Sequence, residues 1–177
     1  MIKKIKALYR RIFYPLSKQA KMAGVQIGEN NFIASRFWSS EPYLITIGNN
    51  CQITVGVKMF THGGGQVLRY KYPDFDCFGK VKIGNYVYLG NNVLVMPGVT
   101  IDDHVLVAAG SVVTKSIPSG CVVGGNPAKF ICSIEEYEKR NLKCNTKTKG
   151  FDMLTKKEFL MHVDDSIFIR KPYMRIE

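Results

Sequence analysis

Acidic residues are scarce in this chain: 14 Asp+Glu stand against 25 Lys+Arg, a formal net charge of +11, and no acid precedes Glu29. Long apolar runs are missing as well. Gly, Asn or Lys interrupts every hydrophobic stretch before it nears the ~20 residues that cross a bilayer, so no membrane span is expected. The opening MIKKIKALYRRIFYPLSKQAK spreads its basic residues throughout and has no charged start followed by an apolar block. It does not read as a secretory leader, and a cytoplasmic location is expected. Five cysteines, Cys51, Cys77, Cys121, Cys132 and Cys144, are an odd number without a CxxC pair. That excludes a disulfide framework and a zinc ribbon, and reduced thiols are expected. Aromatic RNP-type motifs, zinc-finger spacing and a reading helix are all absent, so the basic balance is not read as nucleic-acid binding. What remains is 46% hydrophobic residues in a 177-residue chain, enough for one folding unit with a real core.

The positive charge is concentrated at the two ends. Lys3, Lys4, Lys6, Arg10, Arg11, Lys18 and Lys21 precede the first acid, whereas no Lys or Arg lies between Lys82 and Lys115. Within residues 1–24, Ile2, Ile5, Leu8, Tyr9, Ile12, Phe13 and Leu16 recur at helical spacing, giving a basic amphipathic helix that Pro15 ends or kinks. Such a helix has two uses, packing on the protein body or peripheral contact with an anionic membrane at its cytoplasmic face, and the sequence leaves both open.

A six-residue period decides the fold class. Ile83, Leu89, Val95, Ile101, Val107 and Val113 are six aliphatic residues in step. Four residues into each hexad stand Val87, Val93, Val99, Val105, Ser111 and Ile117. Upstream, Ile47, Ile53 and Met59 keep the phase, and Ile27 and Ile33 begin it before residues 34–46 slip the register by two. This period fits neither a 3.6-residue helix nor a plain alternating strand, so each hexad is one short strand plus a turn. Asn49, Asn50, Asn85, Asn91, Asp102 and Asp103 supply residues that tolerate tight turns. Three such strands make a triangular coil of ~18 residues with Ile83 under Ile101, Leu89 under Val107 and Val95 under Val113. An all-β solenoid over residues 25–132 is expected, with residues 1–24 and a helical or irregular 133–177 segment as caps. From Gly63 to Lys80 the hexad pattern disappears while the phase survives, which reads as a loop extruded from one coil.

The hexads, together with PGV at Pro97–Val99, AGSVVTK at Ala109–Lys115 and GNPAK at Gly125–Lys129, resemble the hexapeptide-repeat acyltransferases, in particular the branch of maltose, galactoside and polysaccharide O-acetyltransferases. The resemblance implies a left-handed parallel β-helix, a homotrimer, and acetyl-CoA as co-substrate in a groove between subunits, with no metal. It also implies that His62, in MFTHGGG beside the extruded loop, is the general base for acetyl transfer to a hydroxyl of a sugar or glycan precursor. Chemically this is sensible, because imidazole exchanges protons near neutral pH. Many relatives carry an acid directly after this histidine, where this chain has Gly63. Asp74, Asp76 or a backbone carbonyl then stay open as the group that orients the ring.

For the cofactor, the resemblance places the pantetheine arm beside Ala109 and Gly110 and the phosphates near Thr114, Lys115 and Lys129, with Tyr88 and Asn91 lining the same groove. Arg36, Trp38, Arg69 and Tyr70 are candidate acceptor contacts. Two other functions are compatible with such a coil. One is a catalytically silent assembly or binding module, which retention of His62, AGSVVTK and GNPAK opposes. The other is a zinc enzyme of the γ-carbonic anhydrase type, which needs three convergent histidines, whereas His104 and His162 complete the whole complement and His162 lies beyond the coils. Serine acetyltransferases carry a long helical N-terminal domain where only residues 1–24 precede the repeat here, so serine is not the expected acceptor.

Overall fold

The computed structural model describes residues 9, 12–174 and 176. It divides into two compact units, Met1–Ile134 and Glu135–Glu177. Among the described residues, the first unit holds thirteen short strands in three sheets. One sheet contains β1 (Gln26–Ile27), β3 (Ile45–Ile47), β6 (Val81–Ile83) and β9 (Thr100–Ile101). A second contains β2 (Phe32–Ile33), β4 (Gln52–Ile53), β7 (Tyr88–Leu89), β10 (Leu106–Val107), β12 (Cys121–Gly124) and β13 (Lys129–Ser133). The third contains β5 (Lys58–Met59), β8 (Leu94–Val95) and β11 (Val112–Val113). The chain visits these sheets in rotation, and every pairing is parallel except the one between β12 and β13.

The register is the one the hexads predict: Ile83 pairs with Ile101, Leu89 with Val107 and Val95 with Val113. All six side chains are buried and form aliphatic columns up the interior. One coil alone leaves these columns open above and below, so stacking supplies the burial, at roughly 1.5–3 kcal/mol per fully buried aliphatic side chain. Ile47 pairs with Ile83, and Met59 pairs with Val95 by the same step, so the extruded segment leaves the phase untouched.

Coil length is not constant. The first coil is two residues longer, with Ile27 paired to Ile47 and Ile33 to Ile53. The last is two shorter, with Ile101 bridged to Ile117 and Val107 paired to Val123. Ile117 therefore does not hold the second apolar position of a hexad, as its spacing suggests, but sits on top of the Ile47–Ile83–Ile101 column. At the base, a parallel bridge between Phe37 and Lys58 puts Trp38 in line with Met59. The indole is buried within the core and starts the third column.

Turn chemistry fixes the corners. Asn30, Asn50, Tyr86 and His104 all adopt left-handed φ near +57°, at one stacked position of successive coils. Beside them the Asn49 Oδ1, Asn85 Oδ1 and Asp103 Oδ1 atoms form a ladder, each accepting from the backbone N–H one coil below: Glu29 at 2.8 Å, Asn49 at 2.9 Å and Asn85 at 2.6 Å. Two donations from Asn85, its backbone N–H first and its side-chain amide at 3.1 Å second, hold the Asp103 carboxyl below its usual range. Gly90 cannot be replaced without a shift, because an added Cβ would lie 2.5 Å from the Ala109 backbone nitrogen.

Tyr9, Ile12 and Phe13 are helical and exposed, and a separate helix α1 (Leu16–Ala23) begins after Pro15. Ile2, Ile5, Leu8 and most of the basic residues of the amphipathic stripe lie outside the described residues. In α1, Leu16 and Ala20, one turn apart, pack on the coil core, and Gly24 ends the helix at φ 114° with its N–H on the Ala20 and Lys21 carbonyls. None of the described helices is long and apolar enough to cross a membrane.

The second unit carries most of α2 (Ile134–Asn141) and all of α3 (Met153–His162). Glu135 and Glu136 in the first turn of α2 and Lys139 and Arg140 in its last complement the helix dipole. Asp152 caps α3 by accepting from the Leu154 and Thr155 amides at 2.9 and 3.1 Å.

Candidate functional site

His62 stands just after β5, at the corner where the chain leaves the third sheet and the loop begins. The root of that loop is pinched. His62 forms an antiparallel bridge with Phe78, the Gly79 amide donates to the Thr61 carbonyl at 2.7 Å, and the Phe78 ring tilts against the imidazole with centroids 5.7 Å apart. Gly79 returns the chain against the next coil, where an added Cβ would meet the Gly98 nitrogen at 2.2 Å. This pairing leaves Gly63–Cys77 projecting, with Arg69 braced by Asp76 at 3.8 Å and by the Phe75 carbonyl at 3.1 Å.

The group that holds the imidazole is neither Asp74 nor Asp76 but Glu41, whose Oε2 lies 2.7 Å from His62 Nδ1. The histidine side chain is 38% exposed and that of Glu41 16%. Glu41 also accepts from the Thr61 hydroxyl at 2.7 Å. That hydroxyl, most of all, holds the Glu41 carboxyl below its usual range; partial desolvation opposes it, and the His62 hydrogen bond and charge add to the lowering. An ionised carboxylate only accepts, so Nδ1 carries the proton in the neutral ring and Nε2 is the bare nitrogen. The arrangement is an oriented base whose partner is already anionic.

Glu41 escapes sequence reasoning because residues 34–46 break the hexad. A signal is nevertheless present. The two-residue slip makes the first coil 20 residues, as Ile33 over Ile53 shows. The same step carries Glu41 to Thr61, one residue from the histidine.

The other candidates fall into groups. Thr114 and Lys115 follow β11 and so occupy the same corner as His62, on a later coil; both are exposed. Ala109 and Gly110 follow β10 on the opposite side of the third sheet, where the Gly110 amide donates to the Asn91 carbonyl at 2.8 Å. Gly110, at φ 72°, has open space at its Cβ position. Tyr88 faces outward from β7 near that corner. Lys129 opens β13, just after Ala128, whose amide donates to the Val112 carbonyl at 2.8 Å. Within one chain, then, His62 and the Ala109–Gly110 corner are separated by the width of the third sheet. Of the acceptor candidates, Arg69 and Tyr70 lie on the loop and are exposed, and Arg36 is exposed at the base of the third sheet. Trp38 offers no ring surface, because its indole is in the core. His104 stacks on Tyr86 at a different corner from His62, with ring centroids 4.9 Å apart, and His162 is on α3.

Comparison with known proteins agrees with this architecture. The family described as bacterial transferase hexapeptide (six repeats) matches residues 80–115. Protein CapG of Staphylococcus aureus is 44% identical over 163 residues, covering 86% of this chain and 95% of CapG. The crystal structure of a maltose O-acetyltransferase from Clostridium difficile 630 superposes with a TM-score of 0.54 at 26% identity, over 74% of this chain and 83% of that one. A hexapeptide-repeat acetyltransferase from Vibrio cholerae O1 biovar eltor, solved with acetyl-coenzyme A, superposes with a TM-score of 0.55 at 28% identity, over 62% of this chain and 60% of that one. With near-complete coverage of one relative, a matching repeat and the same coil, the chain belongs to the hexapeptide-repeat acyltransferases.

Proposed function

We propose that this enzyme transfers the acetyl group of acetyl-CoA to a hydroxyl of a sugar or glycan precursor, with His62 as general base. The observation that carries this reading is the 2.7 Å contact of Nδ1 with Glu41, which leaves Nε2 bare on a partly exposed imidazole at the loop root. In the step, the acceptor oxygen attacks the thioester carbonyl as Nε2 takes its proton. The C–S bond then breaks, the imidazolium returns the proton to the departing sulfur, and the ester and free CoA are the products. Negative charge on the thioester oxygen calls for fixed donors, and the backbone N–H groups of Gly63–Gly65 are the proposed source. Acceptor contacts are proposed from Arg36, Arg69 and Tyr70.

In the same reading the coil is wound left-handed and acetyl-CoA lies along its last turns, against Tyr88, Asn91, Ala109 and Gly110, with its phosphates toward Thr114, Lys115 and Lys129. The separation of Ala109–Gly110 from His62 within one chain favours completion of each site by a second subunit, as in the homotrimer the family resemblance implies. Sedimentation equilibrium at micromolar concentration is expected to give three chains; a single-chain mass overturns this assembly. Lys115→Ala is expected to raise the KM for acetyl-CoA about tenfold or more while leaving acceptor KM unchanged, since it removes one charge-assisted phosphate contact of roughly 1.5–3 kcal/mol. Lys129→Ala should do the same to a smaller degree. Equal effects on both substrates move these lysines out of the cofactor site.

The function itself is tested by assaying CoA thiol release over a panel of sugar, glycan and other hydroxyl acceptors, with the acetylated position read by NMR. Turnover confined to non-carbohydrate acceptors overturns the acceptor class. No turnover, with the coil folded, favours the silent module instead.

A further inference from the structure

The residue tied most closely to the His62–Glu41 pair has no acid–base chemistry of its own. Thr61 is fully buried, and each of its polar groups has a partner. Its N–H reaches Ser39 Oγ at 3.3 Å, its carbonyl accepts from Gly79 at 2.7 Å, and its Oγ1 lies 2.9 Å from Ser39 Oγ and 2.7 Å from Glu41 Oε2. One hydroxyl proton cannot serve both oxygens. The carboxylate can only accept, so the Thr61 proton goes to Glu41 and the Ser39 hydroxyl donates to Thr61 in turn. The His62 Nδ1–H arrives at that same Oε2 from the other side. Ser39 holds this position from a left-handed backbone, φ 57°, which costs energy for any residue bearing a Cβ.

We propose that Thr61, anchored by Ser39, is a positioning residue that aims Glu41 Oε2 at His62 Nδ1 and so fixes the imidazole tautomer that leaves Nε2 bare. The inference rests on the reading of His62 as general base. A glutamate's terminal torsion is soft and roughly two-fold, so one hydrogen bond from an imidazole does little to hold its carboxylate. A second donor on the same oxygen removes that freedom, and it comes from a buried side chain whose own carbonyl is fixed by the returning end of the loop. Among the described residues, Glu41 is the ionisable group in hydrogen-bond contact with His62, and Phe78 covers the ring's other side with no charge. The orientation of the base therefore rests on the Ser39–Thr61–Glu41 chain, with the Ser40 side chain a weaker contributor to the same carboxylate.

The test compares Thr61→Val, which removes the hydroxyl and keeps the shape, with Thr61→Ser, which keeps the hydroxyl and removes the methyl. Thr61→Val is expected to lower kcat about 10- to 10²-fold, the scale of a misplaced reacting group, with both KM values unchanged. The far-downfield proton resonance expected of the carboxylate-bound imidazole N–H in the wild type should broaden or vanish. Thr61→Ser should recover most of the activity and the resonance. Wild-type kcat and an unchanged resonance in Thr61→Val overturn the proposal, as does equal impairment of the two variants, which would mean that any change at this buried position is disruptive and the hydroxyl has no special part. If Thr61→Val fails to fold, Ser39→Gly keeps the left-handed backbone and removes only the anchor. It should weaken the resonance and kcat in the same direction, and no change in either overturns the proposal. His62→Asn assayed alongside separates the two readings. Activity there sinks the general base whatever Thr61 does, whereas the resonance reports on Thr61 without reference to turnover.

Discussion

His62→Ala keeps the fold and the acetyl-CoA affinity but lowers kcat roughly 10²- to 10⁴-fold, the contribution of a positioned acid–base group. On the proposed reading the imidazole acts on the acceptor proton, so cofactor binding has no reason to change. A bracing role makes a different forecast. His62→Asn can still hydrogen-bond to Glu41 and lean on Phe78, and would recover much of the activity if the ring only held the loop root. It cannot serve as a base, because an amide has no basic nitrogen. A general base acts only when it is unprotonated, so any acid limb in the wild-type kcat/KM for acceptor that belongs to the base should be missing from the residual activity of His62→Ala. The Glu41 carboxyl is held low chiefly by the Thr61 hydroxyl, which makes it the poorer source of such a limb. Near-wild-type activity of His62→Asn, or an acid limb that survives without the imidazole, would remove His62 from the chemistry.

The second large effect is on folding. Val95→Asp and Val107→Asp are each expected to leave no folded protein at room temperature. Both side chains are fully buried, with Met59 and Val113 stacked on Val95 and Leu89 and Val123 on Val107. A carboxylate there has no donor and no water, and its burial costs several kcal/mol against a typical total stability of ~5–15 kcal/mol. Circular dichroism melting checks this. A soluble variant with unchanged melting would mean that the columns are not stacked as described.

How much of this was legible in the sequence differs from one part of the molecule to another. The columns from Ile47 to Val113 could be read to the residue, because a buried position repeated every six residues leaves one way to stack three strands per turn. Ile117 and Trp38 could not be. Both sit at ends of the stack, where a coil is two residues shorter or longer than the rest and the period no longer counts positions. Trp38 looked like a ligand contact because a lone aromatic in an irregular segment carries no sign of which way it faces. The site shows the same division. His62 and the loop stood out as a break in a regular pattern. Glu41, Thr61 and Ser39 meet through a left-handed Ser39, which leaves no periodic trace, and a lengthened coil, which shows in the hexads only as the two-residue slip.

The pinch at the loop root has a consequence for how such an enzyme changes over generations. With Phe78 paired to His62 and Gly79 bonded to Thr61, the coil closes on itself beneath Gly63–Cys77, as though the loop were absent. Substitutions, insertions or deletions beyond that closure need not disturb the stacked interior, so on the proposed reading those past Gly65 are screened by the acceptor they admit and hardly at all by stability. The aliphatic columns below are screened by packing. One lineage can thus diversify its substrates by rewriting about fifteen residues while inheriting the base, its carboxylate and the hydroxyl chain intact.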